Sequence, residues 1–144
     1  GNDESQAKSF FEFAAKNTHV EWSITKELDD EKGIDCNVFT SRLARKESTG
    51  SNYAYRRSHR LIYHIHSHPD LLPGPEDASD DNSVPGKDDL EFREMVLRQN
   101  NRVRIQQDRL LKEKGGENKK IPNPEFEIFH IRKFVGAYRN YTRY

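Results

Sequence analysis

The stretch that decides the fold is Arg60-Leu61-Ile62-Tyr63-His64-Ile65-His66-Ser67-His68-Pro69. Its apolar first part is typical of a strand, and side chains alternate between the two faces of a strand. The pattern therefore predicts that His64, His66 and His68 share one face. Pro69 cannot donate to a strand ladder and would end the strand, which leaves His68 at an accessible tip. Two imidazoles held in this way can bind one zinc ion.

A third ligand is expected further along the chain. Catalytic zinc keeps three protein ligands and leaves the fourth position to water. Asp89 is the natural candidate, because it follows Pro85 and Gly86 and begins a helix-like stretch from which its carboxylate could project back. Asp88 is the alternative ligand. Asp89 could also be an acidic residue that only stabilises the helix N-terminus. His64 is interpreted as a support for the ligands or as a core residue.

This arrangement resembles the JAMM (JAB/MPN) metalloprotease signature Glu … His-x-His-Pro … Ser-x-x-Asp. The central part of the signature is matched at positions 66–69, and Asp89 takes the place of the closing aspartate. The resemblance implies a zinc cofactor bound by His66, His68 and Asp89. Gly86 stands where the family has a serine that helps to stabilise the oxyanion and to position the ligands. Ser83 or the backbone N–H of Gly86 could replace that serine.

The resemblance also implies a catalytic glutamate upstream, in a strand that follows the first helix. The segment 18–25 alternates like a strand and follows a helix predicted from Gln6 to Lys16, begun near Ser5. Glu21 is our choice for the general base, and it would share a face with His19. An exposed strand carboxylate is the alternative interpretation of Glu21. No motif supports a role for His59 or His130.

The fold and activity that the resemblance implies are those of a small zinc peptidase. The fold class is α/β (α+β), with a mixed sheet, an N-terminal helix and a long central helix, in an architecture similar to that of cytidine deaminases. The activity is hydrolysis of a peptide or isopeptide bond in a polypeptide, with a ubiquitin-like protein as one candidate substrate. The small size, the acidic loop at 70–87 and Gly86 look most like the JAB-like toxin domains of bacterial polymorphic toxins. Such a domain would be secreted or delivered within a larger protein and restrained by an immunity protein.

Two other classes of function stay open. The first is a catalytically inactive JAMM-like module that acts by binding other proteins, for which Gly86 is the motive. The second is a metal-dependent hydrolase of another substrate, such as a nucleotide deaminase. The zinc deaminase signature His-x-Glu … Pro-Cys-x-x-Cys is absent, since Cys36 is the only cysteine, and this argues against a deaminase.

Composition narrows the class of protein. The 144 residues suit a single domain, 1–144, and 24 basic residues balance 24 acidic ones, so no global charge points to nucleic acid or to a membrane. A single cysteine excludes an intrachain disulfide and a cysteine-based structural zinc finger. No apolar run approaches the length of a membrane span, and no signal peptide is visible. Gly1 at the start suggests a tag-cleavage scar on a fragment of a longer protein.

Periodicity and turn residues predict the remaining elements. After the first helix we expect strands at Val20–Leu28 and Asn37–Leu43, joined by an acidic turn at 29–33. Residues Ala44–Tyr55 are rich in Ser, Thr, Gly and Asn and are predicted to form a loop. The acidic loop 70–87 is a solvated segment or a lid over the site. A helix over about Asp88–Glu113 and a closing strand over Phe126–Phe134 complete the prediction.

Overall fold

The computed structural model describes residues 1–31, 33–42, 48–68, 85–115, 123–130 and 141–144. Its elements in chain order are α1 (Glu4–Asn17), β1 (Trp22–Asp29), β2 (Gly33–Thr40), α2 (Thr49–Arg56), β3 (Leu61–His68), α3 (Lys87–Glu113), β4 (Glu125–His130) and β5 (Tyr141–Arg143). The five strands form one sheet in the order β2-β1-β3-β4-β5. The β3–β4 pair is parallel and the other pairs are antiparallel, so the predicted mixed sheet is confirmed. The long helix α3 lies between the two parallel strands in the sequence.

One face of the sheet packs against α1. The helix begins where the Asp3 carboxylate accepts the backbone N–H of Gln6 at 2.9 Å, which satisfies one of the free N–H groups of the first turn. Phe11, fully buried, contacts a cluster that includes Ile65 and Phe129. Its ring lies 5.5 Å from that of Phe129. Burial of such side chains provides most of the stability of this layer.

The other face of the sheet packs against α2 and α3. Ala54 of α2 and Val96 of α3 are both fully buried and form a second cluster with Leu61 and Phe126. Among the described residues of α3, only Val96 and Asn100 are buried. The helix therefore uses its first half to cover the sheet, while Leu110 in its second half is 57% exposed.

An extra residue in β3 decides which side chains face each helix layer. Lys26 pairs with Tyr63 while Glu27 pairs with Leu61, so Ile62 is the additional residue of a β-bulge. Beyond the bulge, Tyr63 and Ile65 join the α1 cluster. His64, His66 and His68 consequently lie on the α2/α3 face, as the period of two predicted.

Several predicted elements are confirmed and others are corrected. The first helix, the strand with the histidines and the helix over 88–113 all form, and the strand predicted at Val20–Leu28 runs from Trp22 to Asp29. The strand predicted at Asn37–Leu43 instead spans Gly33–Thr40, because Gly33, at φ +80°, makes the turn directly before it. The loop predicted at Ala44–Tyr55 is wrong for residues 49–55, which belong to α2, and its residues 44–47 lie outside the described ranges. The closing strand is described over Glu125–His130, and residues 131–134 of that prediction lie outside the described ranges, as do residues 70–84 of the predicted acidic loop. Strand β5 was not predicted.

Candidate metal centre

Three candidate ligands meet where β3 ends and α3 begins. His66 and His68 extend from the last residues of β3, and Asp89 lies in the first turn of α3. The Nε2 atoms of the two histidines are 3.1 Å apart. Oδ1 of Asp89 lies 3.0 Å from Nε2 of His66, and its Oδ2 lies 3.5 Å from Nε2 of His68. These three side chains form a group that could hold a metal ion.

The spacing of these atoms can be compared with that required by zinc. Zinc binds histidine nitrogen and carboxylate oxygen at about 2.0–2.2 Å, so tetrahedral ligand atoms lie about 3.3 Å from one another. The two Nε2 atoms lie 3.1 Å apart and Oδ1 of Asp89 lies 3.0 Å from Nε2 of His66, both close to that value, and the other oxygen of Asp89, Oδ2, is 3.5 Å from Nε2 of His68. Two imidazoles and one carboxylate are also the donor types of catalytic zinc sites, which leave one position open. The residues present therefore fit zinc.

The first turn of α3 aims Asp89 at the histidines. The Gly86 N–H donates to Oδ2 of Asp89 at 2.9 Å, so the residue before the helix and its third residue are joined. Burial raises the pKa of Asp89, but hydrogen bonds with His66 and His68 outweigh burial and lower that pKa overall. Asp89 is thus a carboxylate at neutral pH. Asp88 is exposed and is not part of the group among the described residues.

The position of the missing family serine is also defined by this turn. The Gly86 N–H is engaged by Asp89, which weakens the idea that it serves as the oxyanion donor. A Cβ atom added to Gly86 would meet Oδ2 of Asp89 at 3.8 Å, an ordinary van der Waals contact. A serine would therefore fit at position 86. Ser83, the other suggested replacement, lies outside the described residues.

The predicted base, Glu21, lies directly before β1 at the same end of the sheet. Ser23 pairs with His66, and extending this antiparallel register by two residues puts Glu21 opposite His68. The Trp22 N–H donates to Oγ of Ser67 at 2.9 Å, which joins the two chain segments at this point. Glu21 is half-buried, and its backbone carbonyl accepts the Thr40 hydroxyl at 2.9 Å.

His64 lies beneath the site and is packed in the core. It is fully buried, and its ring centroid is 5.0 Å from that of Phe92 and 5.9 Å from that of His66. Neither ring nitrogen has a hydrogen-bond partner among the described residues. Burial, with a smaller contribution from His66, lowers the pKa of His64 to about 3. His64 is therefore a neutral imidazole that supports the ligand strand by packing.

Two residues near the ligands received no role from the sequence. His130 of β4 lies opposite His68 in the parallel register. Tyr144, which follows β5, lies with its hydroxyl 3.5 Å from Nδ1 of His66. Burial, with a contribution from the charge of Asp89, raises the pKa of Tyr144 well above its usual value. No sequence motif pointed to Tyr144, since its approach to His66 depends on strand pairing.

The other histidines that the sequence analysis considered are not part of the metal group among the described residues. His19 is exposed in the segment between α1 and β1, and His59 lies in the turn before β3. Burial lowers the pKa of His59, and Arg60 and Arg57 contribute to the same effect. Of the described helices, none has the length and apolar character of a membrane span.

One protein-family model matches the chain. The model of a family described as JAB-like toxin 1 matches residues 1–94, about two thirds of the chain. The matched region contains Glu21, His66, His68 and Asp89. No curated protein and no solved structure matched the chain. The likeness to cytidine deaminases accordingly stays a prediction, whereas the mixed α+β architecture is observed.

Proposed function

The chain belongs to the JAB-like toxin 1 family, and from this membership we propose that it is a zinc-dependent peptidase or isopeptidase. The observation that carries the proposal is the group formed by His66, His68 and Asp89, which offers one ligand atom from each residue, all within 4.8 Å of one another, with the donor types of a catalytic zinc site. Family membership and ligand geometry concern the same three residues, which lie within the matched region. They support the same JAMM-type chemistry.

The proposed reaction is the addition of water to a peptide or isopeptide bond. When bound, zinc would act as a Lewis acid on the scissile carbonyl and would lower the pKa of a coordinated water. Glu21 takes one proton from the attacking water as the new carbon–oxygen bond forms. It then passes that proton to the leaving nitrogen as the carbon–nitrogen bond breaks. The products are a carboxylic acid and an amine.

The surroundings of Glu21 favour this role over another nearby glutamate. Glu27 also lies on β1 but pairs with Leu61, five residues before His66 in β3. At about 3.3 Å per residue it lies too far from the ligands to exchange a proton with water there. Its carboxylate is buried and accepts the Tyr53 hydroxyl at 2.6 Å, which is a structural role.

Membership in a toxin family supports a proposal for biological context. We propose that the domain is delivered to a target cell as part of a larger bacterial protein and hydrolyses a polypeptide there. A ubiquitin-like protein is one candidate substrate, and an immunity protein that restrains the domain is a candidate partner for this role. The nearly balanced charge of the chain does not favour nucleic acid as the substrate.

A catalytically inactive interaction module is the second candidate. Gly86 replaces the family serine, and its N–H is occupied by Asp89. The site would then lack an oxyanion donor at position 86, which in other hydrolases costs about 10²–10³ in turnover. Such a protein could keep its metal and still act only by binding.

The first experiment that tests the proposal is a measurement of the metal content. We expect about one zinc per chain by elemental mass spectrometry, and loss of the metal in the His66→Ala/His68→Ala double variant. His59→Ala is the matched control, because it removes an imidazole outside the metal group. A wild-type protein without zinc, even after zinc is added and the excess removed, would contradict the proposal.

Glu21→Gln then separates the enzyme from the binding module. This variant keeps the shape of the side chain but cannot take a proton, so zinc should stay while turnover falls about 10²–10⁴-fold. Peptide and ubiquitin-like isopeptide substrates can be screened with wild-type protein and Glu21→Gln in parallel. Zinc binding without a difference between the two proteins on any cleaved substrate would place the base elsewhere. Zinc binding without any cleavage would favour the module.

A further inference from the structure

The outer nitrogen of His66 faces a hydroxyl group from the far end of the described chain. Nε2 of His66 points at the other ligand atoms, 3.0 Å from Asp89 and 3.1 Å from His68. Nδ1, on the opposite side of the ring, lies 3.5 Å from the hydroxyl of Tyr144. The two rings meet edge to face with centroids 6.0 Å apart. The imidazole is therefore held between the ligand group and Tyr144.

Metal binding through Nε2 would select one tautomer of His66. A metal ligand must present a lone pair, so a metal-binding Nε2 cannot carry the proton, and the proton of the neutral ring resides on Nδ1. Nδ1–H then donates, and the Tyr144 oxygen is in position to accept. Partners of this kind fix the ring orientation of metal-binding histidines and raise their basicity.

Tyr144 is itself fixed by the sheet and by the core. Its backbone N–H donates to the carbonyl of Phe126 at 3.0 Å, which continues the β4–β5 pairing by one residue. Its ring lies 6.0 Å from that of Phe126 and contacts the cluster of buried residues beneath α3. The hydroxyl therefore reaches His66 from a rigid support, which is what precise orientation of a ligand requires.

We propose that Tyr144 is a positioning residue that holds His66 in the Nδ1–H tautomer and so pre-organises the metal site. The proposal rests on the proposed zinc function and adds a residue outside the matched region 1–94. Tyr144 acts through His66, since its hydroxyl lies on the side of the ring away from the other ligand atoms.

Tyr144→Phe tests the proposal by removing one oxygen atom while keeping the ring that packs on Phe126. We expect zinc to bind about tenfold more weakly in competition with a chelator, at the low end of the 10–100-fold effect of such partners. The visible absorption bands of the cobalt-substituted protein should also change, because the orientation of one ligand relaxes. Thermal unfolding of the metal-free variant checks that the fold is intact.

Tyr141→Phe is the matched control. Tyr141 lies in β5 and Tyr144 follows that strand directly, so both tyrosines belong to the same end of the chain. The Tyr141 hydroxyl, however, donates to Glu12 of α1 at 2.6 Å and does not serve the ligand group. This control should keep the zinc affinity and the cobalt spectrum of wild type. Equal losses in both variants would mean that β5 acts only through general stability, and would overturn the assignment of Tyr144.

A second measurement needs no variant. Long-range proton–nitrogen correlation spectra of the zinc-loaded wild-type protein report which nitrogen of His66 carries the proton. We expect a protonated Nδ1, and metal bound through Nδ1 would overturn the inference. A wild-type protein without zinc would instead contradict the proposed function itself. A wild-type protein with zinc, and with unchanged affinity and spectrum in Tyr144→Phe, would contradict only the role of Tyr144.

Discussion

Replacement of His64 by leucine should stabilise the fold. The imidazole of His64 is fully buried, and neither of its nitrogens has a hydrogen-bond partner among the described residues. Its contacts are ring contacts, at 5.0 Å to Phe92 and 5.9 Å to His66. An apolar side chain should be more stable at this position than a polar one, because a buried polar group without a partner loses its hydration and forms no hydrogen bond in exchange.

The size of the effect follows from these contacts. A buried, unpaired polar group costs about 1–3 kcal/mol, which leucine would remove. A branched side chain in place of a planar ring costs up to about 1.5 kcal/mol through imperfect packing. The expected net gain in the free energy of unfolding is therefore about 1 kcal/mol. For a chain of 144 residues this corresponds to a rise in Tm of about 4 °C.

Denaturant titration and thermal unfolding at neutral pH, both in excess chelator, measure this change without interference from metal. His64→Ala is the comparison variant, because it leaves a cavity and should cost about 2–4 kcal/mol. Zinc content should be the same in His64→Leu and wild type. If His64→Leu loses 2 kcal/mol or more, the imidazole has a hydrogen-bond partner and the reasoning is wrong. If it keeps its stability but loses zinc, His64 supports the ligands by more than packing.

Three further changes test the site and its surroundings. Asp89→Asn should abolish zinc binding, measured by equilibrium dialysis, while Asp88→Asn should keep it. Loss of zinc in Asp88→Asn and not in Asp89→Asn would instead make Asp88 the ligand. Gly86→Ser should raise the turnover of any cleaved substrate at least tenfold by restoring an oxyanion donor, whereas an unchanged rate would mean that position 86 is not part of the machinery. Lys26 hydrogen-bonds Glu4 at 2.6 Å and lowers the pKa of that carboxyl below 4.5, so the stability this pair contributes is present above pH 4.5 and lost as the pH falls through the lower pKa. Glu4→Gln should therefore cost about 0.5 kcal/mol at pH 7 and progressively less as the pH falls below 4.5, and a pH-independent difference in unfolding free energy would refute the ion pair as the cause.

Local signals account for what the sequence predicted well. The alternation of side chains in a strand is enough to predict that His66 and His68 share one face, and this prediction needs no tertiary contact. The signal for the start of α3 was equally local, because Pro85 and Gly86 precede acidic residues that favour a first helical turn. The candidate ligand group thus joins the end of β3 to the start of α3, and both of these boundaries could be predicted from the sequence.

Elements that depend on distant contacts were not predicted. The segment 49–56 has loop-like composition, yet it forms α2 because Ala54 is fully buried against the sheet and Tyr53 reaches Glu27 at 2.6 Å. Tertiary contacts here override weak helix propensity. Tyr144 was not predicted for the same reason, because its contact with His66 joins residues 78 positions apart in the chain.

The order of strands explains how these parts meet at one site. β3 is the central strand of the sheet, with β1 on one side and β4 then β5 on the other. The segment before β1 brings Glu21 to the His68 end, and the segment after β5 brings Tyr144 to the outer nitrogen of His66. A site on a central strand is held more rigidly than one on a loop, because both neighbouring strands fix its register. The chain beyond residue 94, although outside the matched region, therefore contributes to the architecture of the candidate metal centre.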